Sequence, residues 1–194
     1  MTKTKSILLA TCLAIALLWQ PLPLHAANIT VGVAGQNNGV PTVYVSGEIF
    51  RGDEKKLAQL TFNRRTLVYL DSIGGDTEAG LAMGYTIKQR DYETVVFNKC
   101  LSMCSLMWLA GKIRWVGTKA NIGFHAVYMT DEKGEKNLGV SPGGNAVVGA
   151  FLARLGYSDL VIRRLTETDP SSLYWLTADK AKELGIEAKT IQSK

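Results

Sequence analysis

Hydrophobic and polar positions along the chain predict strands and helices in alternation. Continuous apolar runs at 66–70 and 94–97 indicate strands buried on both faces, and the segments at 77–90 and 102–109 have the pattern of helices. A strand–helix–strand order of this kind is typical of a parallel sheet with right-handed crossovers. The other predicted elements are strands at 28–33, 41–50, 114–117 and 122–128, and helices at 53–64, 147–155, 160–166 and 178–184.

The segment at 131–144 is polar and rich in glycine, so we expect a loop there. We find no internal repeat, low-complexity tract or interdomain linker within 27–194. The pattern therefore predicts a single α/β domain, with a mainly parallel sheet flanked by helices.

The first 26 residues have the order of regions found in a secretory signal peptide. Lys3 and Lys5 are followed by an apolar run at 7–19 and by the sequence Leu24-His25-Ala26. The run of about 13 residues is shorter than the roughly 20 that a membrane-spanning helix needs. We therefore expect cleavage after Ala26 and export to the periplasm or the medium. An uncleaved anchor and a lipoprotein modified at Cys12 remain as alternatives.

Composition limits the chemistry that a site in this domain could use. Removal of residues 1–26 takes away two lysines and no acids, so the net charge falls from +5 to +3. That charge is too small to indicate nucleic-acid binding. The same cut leaves His125 as the single histidine, and Cys100 and Cys104 as the only cysteines. A mechanism that needs an imidazole must therefore use His125.

Three short motifs lie at or near the ends of predicted strands, and each allows two interpretations. Gly74-Gly75 could bring backbone N–H groups close to an anion, or could form an ordinary strand-to-helix turn. Ser102, at the start of an apolar helix, is a nucleophile or a helix N-cap. His125, one strand further on, is a general base or a core histidine. Adjacent parallel strands would bring His125 beside Ser102, and a serine nucleophile needs such a base.

The three motifs together resemble a known family. A Gly-Gly turn after a buried strand, a Ser-Met pair leading to Ala-Gly, and a strand ending in Gly-Phe-His are similar to the Clp protease proteolytic subunit and its crotonase-superfamily relatives. The resemblance spans 41–186 and is closest to small exported members whose serine lies between two cysteines. It implies a fold of repeated β-β-α units.

The resemblance also implies roles for individual residues. Ser102 would be the nucleophile and His125 the general base, with the backbone N–H groups of Gly75 and Met103 as the oxyanion hole. The family's triad aspartate has no match at the corresponding position, and Asp169, three to four residues earlier, is the nearest candidate. Ile73 stands where the family has proline.

A second Gly-Gly sequence occurs later in the chain, in Ser141-Pro142-Gly143-Gly144. It matches the family's turn more closely than the first does. No buried strand precedes it, so we interpret it as part of the loop.

Cys100 and Cys104 flank Ser102, and their spacing allows a disulfide if the helix begins between them. Export to an oxidising compartment favours that bond. A zinc site formed with His125 would lack a fourth ligand, and a cysteine nucleophile would be open to oxidation outside the cytoplasm. We therefore expect a disulfide, with no metal and no cofactor.

The leading functional hypothesis is an exported serine hydrolase of the Clp peptidase type, acting on peptides or proteins. The alternative is a catalytically inactive binding or assembly module with the same fold, which the unplaced aspartate favours. Acyl-CoA chemistry of the crotonase type fits poorly with export. The family's subunits form rings and work with a cytoplasmic ATPase. We expect a homo-oligomer by resemblance, with 146–155 as a subunit contact, but no ATPase partner after export.

Overall fold

A curled, mostly parallel sheet organises the protein. The structure, a computed structural model, describes residues 27–33, 39–131 and 137–192. In these residues the strands are β1 (Asn28–Val33), β2 (Pro41–Ile49), β3 (Leu67–Gly75), β4 (Glu93–Val96), β5 (Lys99–Leu101), β6 (Arg114–Gly117), β7 (Asn121–Phe124), β8 (Tyr128–Thr130), β9 (Asn137–Val140), β10 (Tyr174–Trp175) and β11 (Lys189–Ile191). The helices are α1 (Asp53–Gln59), α2 (Thr77–Gln89), α3 (Met103–Leu109), α4 (Pro142–Arg154), α5 (Asp159–Thr166) and α6 (Ala178–Glu183).

The sheet divides along its central strand, β3. The first half of β3 pairs in parallel with β4, which continues through β6 to β11. The end of β3 pairs in parallel with β5, which continues to β7. β2 pairs with β3 in parallel, β1 and β10 are antiparallel edge strands, and β8 and β9 form a separate hairpin. This arrangement is a mixed α/β fold whose strands β3, β5 and β7 end side by side.

The core lies where α3 packs between the sheet and α2. Every residue of α3 is buried, which explains why its sequence is almost wholly apolar. Two glycines of α2 allow close packing with its neighbours. A Cβ on Gly80 would lie 2.9 Å from the Cβ of Met103 on α3, and a Cβ on Gly84 would lie 2.7 Å from the ring of Phe151 on α4. The start of α3 is therefore held firmly against the sheet.

Most of the predicted strands and helices are confirmed, but several predictions were wrong. The helix at 53–64 ends at Gln59, because Leu60 is extended. The strand at 122–128 stops after Phe124. The loop at 131–144 contains β9 and the start of α4, because Ser141 caps that helix by accepting a hydrogen bond from the Gly144 N–H.

Some predictions lie outside the described residues. These are the signal peptide at 1–26 with its cleavage site, the lipoprotein alternative at Cys12, and the part of the predicted loop at 132–136. Across the described ranges, the helices are all too short or too polar to cross a bilayer.

Candidate active site

Ser102 and His125 directly follow the last residues of two neighbouring strands, β5 and β7. Leu101, at the end of β5, pairs with Gly123 near the end of β7, and the Ser102 N–H donates a hydrogen bond of 2.9 Å to the Gly123 carbonyl. Because both strands run in the same direction, the residues that follow them emerge at the same edge. The strand predicted before Ser102, at 94–97, is β4 and pairs with β3 and β6; the neighbour of β7 is instead the short strand β5, which the sequence did not predict.

The backbone of Ser102 adopts an unusual conformation. Its φ is 53° and its ψ is −123°, and in the described chain only Asp91 shares a positive φ among non-glycine residues. Such a conformation costs on the order of 1–3 kcal/mol and persists only where the surroundings impose it. The hydroxyl makes no capping hydrogen bond to α3. The interpretation of Ser102 as a simple N-cap therefore does not fit.

Gly74 and Gly75 lie directly against Ser102. The sequence predicted a strand that ends at residue 70 and a turn at these glycines, but both glycines are the last residues of β3 and pair with β2. Gly74 has a φ of 94°, and a Cβ on it would lie 2.7 Å from the Cβ of Ser102 and 2.8 Å from the Leu101 carbonyl oxygen. The Gly74 N–H donates to the hydroxyl of buried Ser72 at 3.0 Å. Gly75, with a φ of 143°, is packed against the backbone of Ile49. Side chains are excluded from both positions, so the interpretation as an ordinary strand-to-helix turn does not fit.

Met103 contributes the other predicted backbone donor. It is the first residue of α3, and the N–H groups in the first turn of a helix have no acceptor within the helix. The Met103 nitrogen lies 3.0 Å from the position of a Cβ on Gly74. The N–H of Met103 and the glycine pair thus border the same space as Ser102.

Ser105 supports this arrangement and was not identified from the sequence. Its fully buried hydroxyl lies 2.6 Å from the Cys100 carbonyl oxygen and 2.7 Å from that of Gly123. It therefore ties the ends of β5 and β7 to the first turn of α3. A lone hydroxyl on an otherwise apolar, buried helix was the signal that could have revealed this role.

Cys100 and Cys104 form a disulfide, as predicted. Their Cα atoms are 5.1 Å apart, and both residues are fully buried. The bond joins the end of β5 to the first turn of α3, with Ser102 between its two ends. With both sulfur atoms bonded to each other, a zinc site and a cysteine nucleophile do not fit. The described ranges contain no cluster of three potential metal ligands.

His125 is oriented by the backbone. Its Nδ1 lies 2.8 Å from the carbonyl oxygen of Ala126. Because a carbonyl only accepts hydrogen bonds, Nδ1 is the donor, and in the neutral ring this leaves the lone pair on Nε2. The half-buried ring also contacts Tyr128, with a centroid distance of 5.6 Å. A histidine of this tautomer can accept a proton at Nε2.

A cleft of about 390 Å³ brings the predicted residues together. Its wall includes Ser102, His125, Gly75 and Met103, together with Ile49 and Phe50 at the end of β2. A second cavity, of about 420 Å³, lies between α6 and the sheet and includes Trp108 and Ile122. Neither Ser102 nor His125 borders that second cavity, so the smaller cleft is the candidate active site.

Asp169 is placed elsewhere. Its exposed carboxylate accepts hydrogen bonds from the Ser171 hydroxyl at 2.5 Å and the Ser171 N–H at 2.8 Å. These bonds, the hydroxyl first, lower the pKa of Asp169 below its usual value. The described contacts of the carboxylate do not include His125, although the neighbouring Thr168 carbonyl accepts the Ala126 N–H. The structure therefore brings four of the five predicted catalytic groups together and leaves Asp169 apart.

Comparisons with known proteins identify the fold of the chain. No protein-family model and no curated protein matches the chain. Among solved structures, the ClpP protease catalytic domain from Plasmodium falciparum is 21% identical, with a TM-score of 0.58 over 78% of this chain and 84% of that chain. A ClpP1 mutant from Listeria monocytogenes is 20% identical, with a TM-score of 0.59 over 79% of this chain and 92% of that chain. The chain has a ClpP-like fold.

Proposed function

We propose that this protein is an exported, ATP-independent serine hydrolase, a peptidase that works through a Ser102 acyl-enzyme. The observation that supports the proposal is the parallel pairing of Leu101 with Gly123, because the residues that follow two such strands emerge at the same edge of the sheet. A strained serine beside a single oriented histidine, in a cleft with two backbone donors, is an arrangement suited to acyl transfer.

The proposed reaction gives each group of the cleft a defined role. Nε2 of His125 takes the proton of the Ser102 hydroxyl as the oxygen attacks the substrate carbonyl. The backbone N–H groups of Gly75 and Met103 stabilise the oxyanion, and one such donor contributes about 2.7–4 kcal/mol in other enzymes. His125 then protonates the leaving amine, and water attacks the acyl-enzyme by the same steps in reverse order.

The Ala126 carbonyl replaces the triad acid in this scheme. In the serine triad, an aspartate holds the histidine tautomer and stabilises the imidazolium that forms. The hydrogen bond from Nδ1 to Ala126 serves the first purpose, whereas a neutral carbonyl serves the second only weakly. We therefore expect a slow hydrolase rather than an inactive one.

The disulfide and the predicted signal peptide support export. Disulfides persist in oxidising compartments and are rare in the cytoplasm. A cytoplasmic ATPase could not reach the protein there, so we expect peptides or unfolded segments to enter the cleft unaided. The ClpP-like fold also favours a homo-oligomer.

The test is covalent labelling of Ser102. The exported protein is treated with a fluorophosphonate, and the adduct is mapped by mass spectrometry. We expect a single adduct on Ser102, because the histidine-activated hydroxyl attacks phosphorus as it would attack a carbonyl. The Ser102→Ala variant should remain unlabelled.

The matched control is Ser141→Ala. Ser141 also precedes a helix, and its hydroxyl accepts a hydrogen bond from the Gly144 N–H. Its removal should leave the labelling of Ser102 unchanged. An unlabelled Ser102 under conditions where a known serine hydrolase reacts would contradict the proposal.

A non-catalytic binding or assembly module is the second candidate function. One observation favours it: within the described residues, the hydroxyl of Ser102 makes no hydrogen bond to His125. Catalytic hydrogen bonds in substrate-free enzymes often form only when substrate binds, so the labelling experiment decides between the two.

A further inference from the structure

Asp53 is a buried carboxylate at the start of α1. It is 1% exposed. One oxygen, Oδ1, accepts a hydrogen bond from the Lys56 ammonium at 2.7 Å. The other, Oδ2, accepts the Phe50 N–H at 2.9 Å and the Ala27 N–H at 3.1 Å. A buried charge needs compensating charge as well as hydrogen bonds, and the Lys56 side chain is 52% exposed.

The third donor, Ala27, is the residue that follows the predicted signal-peptide cleavage site. It is 3% exposed, and its Cα lies 3.8 Å from the position of a Cβ on Gly47. It directly precedes β1, whose first residue pairs with Ser46 of β2. The nitrogen that cleavage would free is thus already a hydrogen-bond donor to a buried carboxylate.

We infer that the amino terminus created by cleavage between Ala26 and Ala27 docks on Asp53 as a buried ion pair. Hydrolysis breaks the Ala26–Ala27 peptide bond with one water molecule. Ala26 leaves as a carboxylate that keeps the water oxygen, and the Ala27 nitrogen takes both protons of the water to become an ammonium group. A cation then replaces a neutral N–H beside Oδ2 of Asp53, without movement of the main chain. The inference rests on the export part of the proposed function and not on catalysis.

The docked terminus would brace one wall of the cleft. Oδ2 of Asp53 also accepts the N–H of Phe50, which lines the cleft beside Ile49. Ile49 pairs with Gly75, and its carbonyl accepts the Asp76 N–H at 2.8 Å. Processing of the leader is therefore linked to the glycine pair through a short series of backbone hydrogen bonds.

The first test needs no variant. The full chain is expressed with its own leader in a bacterium, and the exported product is purified and its amino terminus sequenced. An acylating reagent is then applied near neutral pH, and modification of the α-amine is timed by mass spectrometry. We expect the terminus to be Ala27, with acylation about tenfold or more slower in the folded protein than in urea, because reaction requires local opening.

Each other outcome of this test overturns the inference. An unprocessed chain, a terminus at another residue, or an α-amine that reacts equally fast in both states would do so. Lys56 is a useful internal standard, since its half-exposed ammonium also contacts Asp53 but remains open to solvent.

The second test removes the carboxylate charge. Asp53→Asn should abolish the protection of the Ala27 amine. The matched control is Asp159→Asn, since Asp159 is also the first residue of its helix but is exposed, and protection should persist there. Continued protection in a folded Asp53→Asn protein would contradict the ion pair. If that variant does not fold, the inference is tested by the acylation rates of the Ala27 amine in folded and in urea-unfolded wild-type protein.

Fluorophosphonate labelling is read on the same samples. A protein that labels at Ser102 but has an unprotected amine overturns this inference alone. A protein with a protected amine but an unlabelled Ser102 overturns the proposed catalysis alone.

Discussion

At the scale of single residues, the candidate site depends on how the backbone around Ser102 is held. The positive φ of Ser102 is unfavourable for a residue with a side chain. Its N–H bond to Gly123 and the contact with Gly74 leave the turn little freedom to relax. Strain of this kind occurs where a side chain must be presented in one direction.

Gly74→Ala should disable the site. The new Cβ would lie 2.7 Å from the Cβ of Ser102, and displacement of a reacting group by about 1 Å can cost about 100-fold in rate. We expect fluorophosphonate labelling to slow by about that factor. The control is Gly156→Ala, where φ is also positive at 91° but a Cβ would meet no described atom within 4 Å. Equal labelling rates in the two variants would contradict the proposed contact.

Asp169→Asn should have little effect. The Asp169 carboxylate is exposed and bonded to Ser171, so we expect the hydrolysis rate to stay within about threefold of the wild type. The rate is measured with an activated ester. Loss of a true triad aspartate lowers kcat by about 10⁴, and a fall of that size would show that Asp169 moves to His125 during turnover.

At the scale of secondary-structure elements, the site is the junction of β3, β5, β7 and α3. β5 has three residues, β7 has four and α3 has seven, so none of them has much stability of its own. The disulfide and the Ser105 hydroxyl hold them together by joining the end of β5 to α3 and to β7.

Removal of the disulfide in the double variant Cys100→Ala, Cys104→Ala should loosen this junction. For so short a loop, chain entropy accounts for about 2 kcal/mol of the free energy of unfolding. We expect a loss of that order in denaturant unfolding, and slower labelling of Ser102 because its turn is no longer closed. Wild-type labelling in the double variant would mean that Ser105 and the glycine contact are sufficient.

Glu93 joins β4 to Arg65, just before β3, and to Trp115 of β6, and should make stability depend on pH. It accepts hydrogen bonds from Arg65 at 2.6 and 2.9 Å and from Trp115 at 2.8 Å. These bonds, with Arg65 first, lower the pKa of Glu93 below its usual value. Because the folded value is the lower one, the stabilisation is complete above the unfolded pKa and is lost as the pH falls through the folded pKa.

Glu93→Gln should therefore lower the free energy of unfolding at pH 7 and flatten its decline below about pH 4.5. Denaturant midpoints measured across this range provide the test. Glu167→Gln is the control, because Glu167 forms an exposed pair with Arg163, and such pairs contribute little. Parallel pH curves for wild type and Glu93→Gln would contradict the prediction.

The sequence was sufficient for the elements whose pattern is long enough to show a period. The helix at 77–90 is an example. The link between Ser102 and the strand before His125 runs through β5, which was not predicted. β5, β10 and β11 have three residues or fewer, which is too short to show alternation. The cap at Ser141 was missed because its glycines suggested a loop. The place of Asp169 depends on local hydrogen bonds to Ser171, which no pattern reports.

At the scale of the whole molecule, apolar side chains remain exposed on one helical pair. Val147 on α4 is 50% exposed and Leu160 on α5 is 59% exposed, and the two helices pack against each other. Val147 falls within the segment 146–155 that the sequence suggested as a subunit contact. An apolar surface of this kind is suited to a second copy of the chain.

Val147→Glu should weaken self-association. A carboxylate in an apolar contact must be desolvated without a partner, so we expect the mass from light scattering to fall toward that of one chain. Ala58→Glu, on an exposed position of α1, is the control and should leave the mass unchanged. A wild-type protein that is already monomeric, or a Val147→Glu variant of unchanged mass, would contradict the prediction.

In the proposed exported hydrolase, the disulfide around Ser102 would also separate synthesis from activity in time. Thiols stay reduced in the cytoplasm, so a chain made there has no covalent closure of the turn that presents its hydroxyl. Oxidation after export would complete that turn. Such a hydrolase would have low activity toward the cytoplasmic proteins of the cell that makes it. It would become fully active only after export.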